Sequence, residues 1–421
     1  MLGKYVSLFK TYKESGTLHI LISSFISQLS AFFLSFFVVR FLTQEEYGIV
    51  SFVQAFINFF LPLSGLGLNY SLLRFGANVE NADRKKNLLM ICVKYGVIFS
   101  IILYGLVCLL AVILNFAILD NNAIFYVLAL LIFTSYLKDI SQSFLRLNKN
   151  NREYAYSNAL YSILLVTFSI FASYYWSIWG FTVAKVIVPL IVFVIIALRS
   201  IKSFNLLARA DKENLRQYIS YGVFIGLGSV ASQVLFQIDQ VILGLLSSDP
   251  VIVAGYKVAT LIPFAVLFIP SSFMTADFVM IAEKSEDKQF LISYRRNITI
   301  MLFFISAVGL LISILFSKQI LGLFYGQQYA DSYKIMNILM FGNIAAFSLR
   351  TPSGNILAAV GKSKWNAILA YSTLGVNVAL NFIFIRLYGA YGAAISTTII
   401  IWVTSLIGYY LLNVYIKKET V

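Results

Sequence analysis

The chain has 421 residues, of which 60% are hydrophobic and 12% charged, with a formal net charge of +14 and a mean hydropathy of +0.84. A soluble globular chain carries roughly 25% charged and 45–50% apolar residues, so these values exclude a water-soluble surface and imply serial membrane helices of about 20 apolar residues each. Nucleic-acid binding is also excluded, because the Lys and Arg residues lie in short connections between apolar runs and not on one polar face.

The basic stretch from Met1 to Gly16, with Lys4, Lys10 and Lys13, leads into an apolar segment too long for a signal-peptide core and lacking a small-residue cleavage site. It is expected to be retained as the first span. Apolar runs place spans at about 17–39, 48–70, 88–114, 123–145, 154–176 and 179–198. After the polar connection Ser200 to Gln217, six more follow at about 217–246, 254–278, 294–316, 333–349, 365–386 and 389–413. The sixth is the least distinct, since Trp176 to Gly180 leave little room for a turn, and the seventh is long enough to tilt. Cys92 and Cys108 fall on one predicted helix, roughly 24 Å apart at 1.5 Å per residue, too far to pair. With a single histidine, His19, no Cys/His metal set, Ser-His-Asp set or phosphate loop can be assembled, so neither enzyme chemistry nor a cofactor is expected.

The connections alternate in basic residues. One set holds 25 of the Lys and Arg residues, among them Arg84, Lys85, Lys138, Arg146, Lys149, Arg199 and Lys362. The other holds only Arg40, Lys318, Lys334 and Arg386. By the positive-inside rule this puts both termini in the cytoplasm. Tyr126, Tyr154, Trp176, Trp179, Trp365 and Tyr388, near span ends, suit an interfacial aromatic belt.

Six spans precede the central polar connection and six follow it, giving an expected N-terminal lobe at 1–205 and a C-terminal lobe at 206–421. Weak similarity relates the halves at a shift of about 204–212 residues: Thr43 to Gly48 with Ser247 to Tyr256, Asn148 to Tyr154 with Gly361 to Trp365, and Trp179-Gly180 with Tyr391-Gly392. An even number of spans per half makes a parallel repeat, an architecture that encloses a midplane cavity and rocks to give alternating access.

Arg40-Phe-Leu-Thr-Gln-Glu-Glu-Tyr-Gly48, then Gly65-Leu-Gly-Leu68 and Arg74-Phe75, resembles the opening of bacterial polysaccharide flippases. Asp239-Gln-Val-Ile-Leu-Gly244 with Gly255-Tyr256 and Ala259 resembles the start of their second half, and Asn381 with Gly389 to Thr397 is similar to their last helix pair. The family is that of O-antigen and capsular polysaccharide translocases, in the multidrug/oligosaccharidyl-lipid/polysaccharide exporter superfamily. The resemblance implies an all-α, MATE-like membrane protein of the bacterial inner membrane with two six-helix lobes. It also implies flipping of an undecaprenyl-diphosphate-linked oligosaccharide to the periplasmic leaflet, with polymerase and chain-length proteins as pathway partners. No counterpart of the drug exporters' coupling-ion site stands out, which leaves H+ or Na+ coupling open.

A diphosphate head needs cations, and a sugar chain needs hydrogen-bonding groups and aromatic faces. A charge at a helix centre costs about 2.5–3.5 kcal/mol on insertion scales, so a retained one has a role or a partner. Lys185, mid-span in the sixth helix, is the leading candidate for a cavity cation, with a structural pair to a carboxylate elsewhere in the bundle as the alternative. Asp239 in the seventh is a candidate for a coupling ion, a gate or a lysine partner. Lys257 and Lys94 are cavity candidates for which snorkelling to the interface is the alternative. Arg74 and Arg350, at span ends, either capture diphosphate at a cytoplasmic mouth or simply anchor their helices. Gln28, Gln54 and Asn58 are candidates for lining the first lobe. Gln233 with Gln237, and Asn377 with Asn381, lie one turn apart on shared faces, where sugar contact and interhelical hydrogen bonding are the alternatives. Pro263 and Pro270 mark expected bends or hinges in the eighth span. The rival functions are a cation-coupled multidrug exporter and a membrane polymerase or glycosyltransferase. The first would favour acidic cavity residues over these lysines. The second would need a larger outer loop than the chain provides.

Overall fold

The computed structural model describes residues 17–77, 79, 81–119, 122–200 and 215–418. Lys4, Lys10, Lys13, Lys202, Arg209 and Lys212, expected in connections, lie outside the described residues. The described chain is helical, and ten of its helical stretches are long and apolar enough to cross a membrane. One of these, Asn151–Ser200, is 50 residues long and is interrupted at Trp176 and Ser177, so it supplies two spans. Residues 333–359 supply another, and the total is the twelve read from the sequence.

In chain order, α1 is Thr17–Phe41, and α2 comprises Gln44–Asn58, a 3-10 turn Leu61–Gly67 and Leu68–Gly76. Helix α3 is Ala82–Leu114, and α4 joins Ala123–Ala129 to Leu131–Leu147. The long helix gives α5 (151–175) and α6 (178–200), and α7 is Leu215–Ser247. Helix α8 joins Pro250–Val266 to Phe268–Glu283, and α9 is Lys288–Tyr325. Helix α10 runs through Tyr333–Ala345, a π turn Ala346–Arg350 and Thr351–Ala359. Helices α11 (Ser363–Tyr388) and α12 (Ala390–Lys418) complete the chain.

Several helices outrun their hydropathy windows because polar caps extend them. Helix α2 starts at a capping box: Glu46 N donates to Thr43 Oγ1 (3.2 Å) and Thr43 N donates to Glu46 Oε2 (2.9 Å). Helix α9 starts where Phe290 N donates to Asp287 Oδ1 at 2.9 Å. The break in α8 at Leu267 has a proline cause: Pro270 has no N–H for the Val266 carbonyl and its ring crowds that turn.

Helix faces are inverted relative to those of a water-soluble protein. On α3, Ile98, Ile101, Leu109 and Val112 are exposed while Ser100, Val107 and Ala111 are buried. On α9, Phe304, Leu311 and Leu315 are exposed while Ser306, Ser313 and Ser317 are buried. Lipid tails are as apolar as leucine, so packing uses small and hydroxylated residues, as in the 2.5 Å bond from Ser313 Oγ to Asn337 Oδ1.

The chain forms two compact units, Met1–Gln233 and Val234–Val421, and the division falls within α7. Each unit repeats the other's backbone detail at the upper end of the 204–212-residue shift. Ser177 (φ 47°, ψ −129°) in the α5–α6 kink matches Gly389 (φ 56°, ψ −134°) between α11 and α12. Three residues later, Gly180 lies against the Ala172 carbonyl and Gly392 against the Phe384 carbonyl. The α4–α5 turn places Lys149 at φ 57°, where the α10–α11 turn has Gly361 at φ 79°. In these two turns Asn150 N donates to Leu145 O (3.0 Å) and Lys362 N to Leu357 O (2.7 Å).

Lys149 is exposed, and an L-residue in the left-handed region carries a penalty of about 1 kcal/mol that glycine does not. Lys149→Gly is expected to stabilise the detergent-solubilised protein by about 0.5–1 kcal/mol; a lower melting temperature would show that this side chain, not the turn geometry, matters there.

Candidate functional site

In the first unit the site is built by a break inside α2. Pro62 interrupts the hydrogen-bond ladder, Ser64 is extended (ψ 131°), and Gly65, Leu66 and Gly67 are left-handed at φ 58°, 50° and 67°. Close packing on two sides requires the glycines. The Tyr136 ring of α4 lies against Gly65 and against Gly96 of α3, where a Cβ would overlap it, and the Tyr136 hydroxyl donates to Cys92 O at 2.7 Å. On the other side Gly67 meets Gly222 of α7 backbone to backbone; a Cβ on Gly222 would fall on the Leu66 carbonyl. Gly65 N donates to Ser100 Oγ at 2.9 Å, and Ser71 Oγ to Tyr218 O at 2.6 Å.

Non-helical backbone at membrane depth persists only where protein or a wet cavity meets it, and here a cavity does. A space of about 380 Å³ is lined by Leu61, Pro62 and Ser64 of the break, Asn69 and Tyr70 beyond it, Asp139 of α4, and Ser229, Ser232 and Gln233 of α7. A second space of about 350 Å³ shares Tyr70 and adds Leu73, Arg74, Ala77, Tyr221 and Ile225. Asp139 pairs with its neighbour Lys138 at 3.1 Å, and the Lys138 ammonium lies 4.1 Å from the Tyr161 ring centre. Lys138 therefore belongs inside α4, more than two turns before its end at Leu147, and not with the loop cations among which its sequence position had grouped it.

Lys185 of α6 is buried (9% exposed). Its ammonium donates to Gln54 Oε1 of α2 and lies 4.8 Å from the Phe181 ring centre. Two sequence candidates from different spans thus come together. Asn58 is half-buried at the end of the first segment of α2. Gln28, Lys94 and Arg74 are exposed, and of these three only Arg74 lines one of the two cavities.

In the second unit Asp239 (5% exposed) accepts from the Tyr256 hydroxyl of α8, from Thr397 Oγ1 of α12 at 3.3 Å and from Gln240 N at 2.8 Å. Half-buried Lys257 lies within its electrostatic reach. Asn377 and Asn381 are buried and bond to each other: Asn381 Nδ2 donates to Asn377 Oδ1 at 2.5 Å, and Asn377 Nδ2 to Leu235 O at 3.4 Å. Pro263 contributes its carbonyl to Asn343 Nδ2 at 2.7 Å, which ties α8 to α10, while Pro270 sits at the α8 break. Arg350 is exposed at the end of the π turn in α10.

Asn69, Tyr70, Asp139, Ser229 and Ser232 escaped the sequence reading. Asp139 carried a usable signal, as a carboxylate in an apolar span.

Two substitutions test these contacts. Gly222→Ala forces α2 and α7 apart and is expected to cost about 1–3 kcal/mol, whereas Gly105→Ala, whose Cβ meets open space, is expected to be neutral or stabilising. Equal melting temperatures for the two variants would refute the contact. Tyr256→Phe removes a donor from a buried carboxylate and is expected to destabilise by about 1.5–3 kcal/mol, read from melting in detergent; an unchanged midpoint would mean that Asp239 does not depend on it.

Residues 15–278 match the family of polysaccharide biosynthesis proteins, and residues 225–383 match the MatE family. A Shigella flexneri protein described as an O-antigen transporter is 25% identical over 189 residues, which are 44% of this chain and 44% of that protein. The lipid II flippase MurJ in an inward-closed conformation superposes with a TM-score of 0.74 at 18% identity, covering 94% of this chain and 87% of MurJ. An inward-facing multidrug-resistance MATE transporter of the MOP superfamily superposes with a TM-score of 0.70 at 15% identity, covering 93% and 95%. With most of its length inside the matched family and its helices in the arrangement of these transporters, the chain is a multi-pass membrane protein that belongs to the polysaccharide biosynthesis protein family.

Proposed function

We propose that this protein is a flippase that carries an undecaprenyl-diphosphate-linked oligosaccharide of O-antigen or capsule type from the cytoplasmic to the periplasmic leaflet of the bacterial inner membrane. Its termini are cytoplasmic and its two units alternate access. The observation that carries the proposal is polar space at a broken membrane helix: the cavities beside Ser64–Gly67 hold hydroxyls, amides and an aromatic ring, with Arg74 in the adjoining space. These groups suit a sugar with an anionic head, and the prenyl tail remains in lipid. The family match and the Shigella flexneri relative support the substrate class.

Lys185, held by Gln54, supplies a buried positive charge near the same helix. Asp239 with Tyr256 and Thr397, and with Lys257 in electrostatic reach, is a buried polar cluster that suits a coupling proton or Na+. A cation-coupled drug exporter is the second reading, favoured by the Asp139 carboxylate on the larger cavity.

Deletion of the gene separates the two. Lipid-linked repeat units are expected to accumulate on the cytoplasmic face, beyond the reach of a membrane-impermeant oxidant. Re-expression of Lys185→Ala at normal protein level is expected to restore less than a tenth of the surface polysaccharide. Normal surface glycan combined with lost drug tolerance would instead establish the exporter.

A further inference from the structure

The walls of the larger cavity in the first unit differ in hydrogen-bonding sense from an anion site. Ser229 Oγ donates to Ile225 O at 3.2 Å and Ser232 Oγ to Gly228 O at 3.3 Å, so both hydroxyls spend their protons on their own helix and turn lone pairs outward. Asp139 accepts only, and its side chain is 44% exposed. Its neighbour Lys138 is not part of the lining; the Lys138 ammonium pairs with Asp139 Oδ1 at 3.1 Å and lies 4.1 Å from the Tyr161 ring centre, which leaves Asp139 Oδ2 to accept. The amides of Asn69 and Gln233 accept as well as donate, and Tyr70 adds an aromatic ring. The cavity therefore has an excess of acceptors. Its complement is a group rich in O–H and N–H donors with an apolar face for the ring. Its volume of about 380 Å³ is in the range of small-molecule sites. The adjoining space has the opposite character, with Arg74 among Leu73, Ala77, Tyr221 and Ile225.

We infer that the larger cavity is a saccharide subsite selective for uncharged sugar rings. Asp139, Ser229 and Ser232 accept sugar hydroxyls, Tyr70 stacks on a ring face, and Arg74 holds the anionic linkage next door. The inference rests on the proposed flippase function and adds what that function leaves open: which unit reads the sugar, and that acidic sugars are rejected there. A uronate would bring a second carboxylate against Asp139, whose partner cation Lys138 is already engaged by Asp139 itself and by the Tyr161 ring.

The test uses the full-length protein in lipid nanodiscs and three probes: undecaprenyl diphosphate, the same carrier bearing a neutral N-acetylhexosamine disaccharide, and the carrier bearing a hexuronate in place of one sugar. The wild type is expected to bind the neutral glycolipid at least five-fold more tightly than the bare carrier, and the acidic one no more tightly than the bare carrier. Asp139→Asn is expected to erase the preference for neutral over acidic sugar. Ser232→Phe, at an exposed position on the cavity wall, is expected to remove the gain from sugar while leaving bare-carrier affinity unchanged, which also shows that this variant is folded. Arg74→Gln is expected to weaken all three probes alike by about ten-fold. A wild type that binds none of the probes overturns the flippase reading itself. A wild type that binds them, with Asp139→Asn and Ser232→Phe both behaving like it, overturns the saccharide subsite alone.

Discussion

A peptide group that loses its helical partner inside a bilayer has no water to turn to, and leaving it bare costs several kcal/mol. The interruption of α2 at Ser64–Gly67 must therefore be held by its surroundings. Ser100 takes the Gly65 N–H, Tyr136 covers the glycine face, and Gly222 lets α7 approach until backbones touch. What protein does not cover opens on the cavity between α2, α4 and α7. The placement of Asn69, Tyr70 and Arg74 follows, because they ride on the short helix that restarts after the break.

The two units keep their polar interiors in different currencies. At matching positions of their sixth helices, the first unit has Lys185 and the second Thr397. Lys185 binds the Gln54 amide, whereas Thr397 joins Tyr256 around a carboxylate. At this pair of equivalent positions a shared backbone thus carries an ammonium in one unit and a hydroxyl beside a carboxylate in the other.

Membrane spans were legible because hydropathy reports burial in lipid directly, and even the indistinct sixth span was real. It follows the fifth through a kink at Ser177 with no loop between them, which explains the missing turn signal. The Asn377–Asn381 contact was also legible, since one helical turn brings the two together without help from tertiary structure. Partners across helices were not: nothing local marks Tyr256 or Thr397 as the donors to Asp239. The cavity was missed for a different reason. Gly65 and Gly67 read as family resemblance but not as a break, and Lys138 was grouped with the loop cations, which hid the carboxylate beside it.

That charged couple bears on biogenesis. Lys138 and Asp139 are consecutive in one helix, so their 3.1 Å contact needs no second span. Separately, each would oppose partitioning by about 2.5–3.5 kcal/mol at the centre of a nascent helix. Joined, they leave the translocon as a compact dipole. Such a pair lowers the cost of releasing helix α4 into the bilayer before α7, the one wall of the cavity that follows it in the chain, has been made.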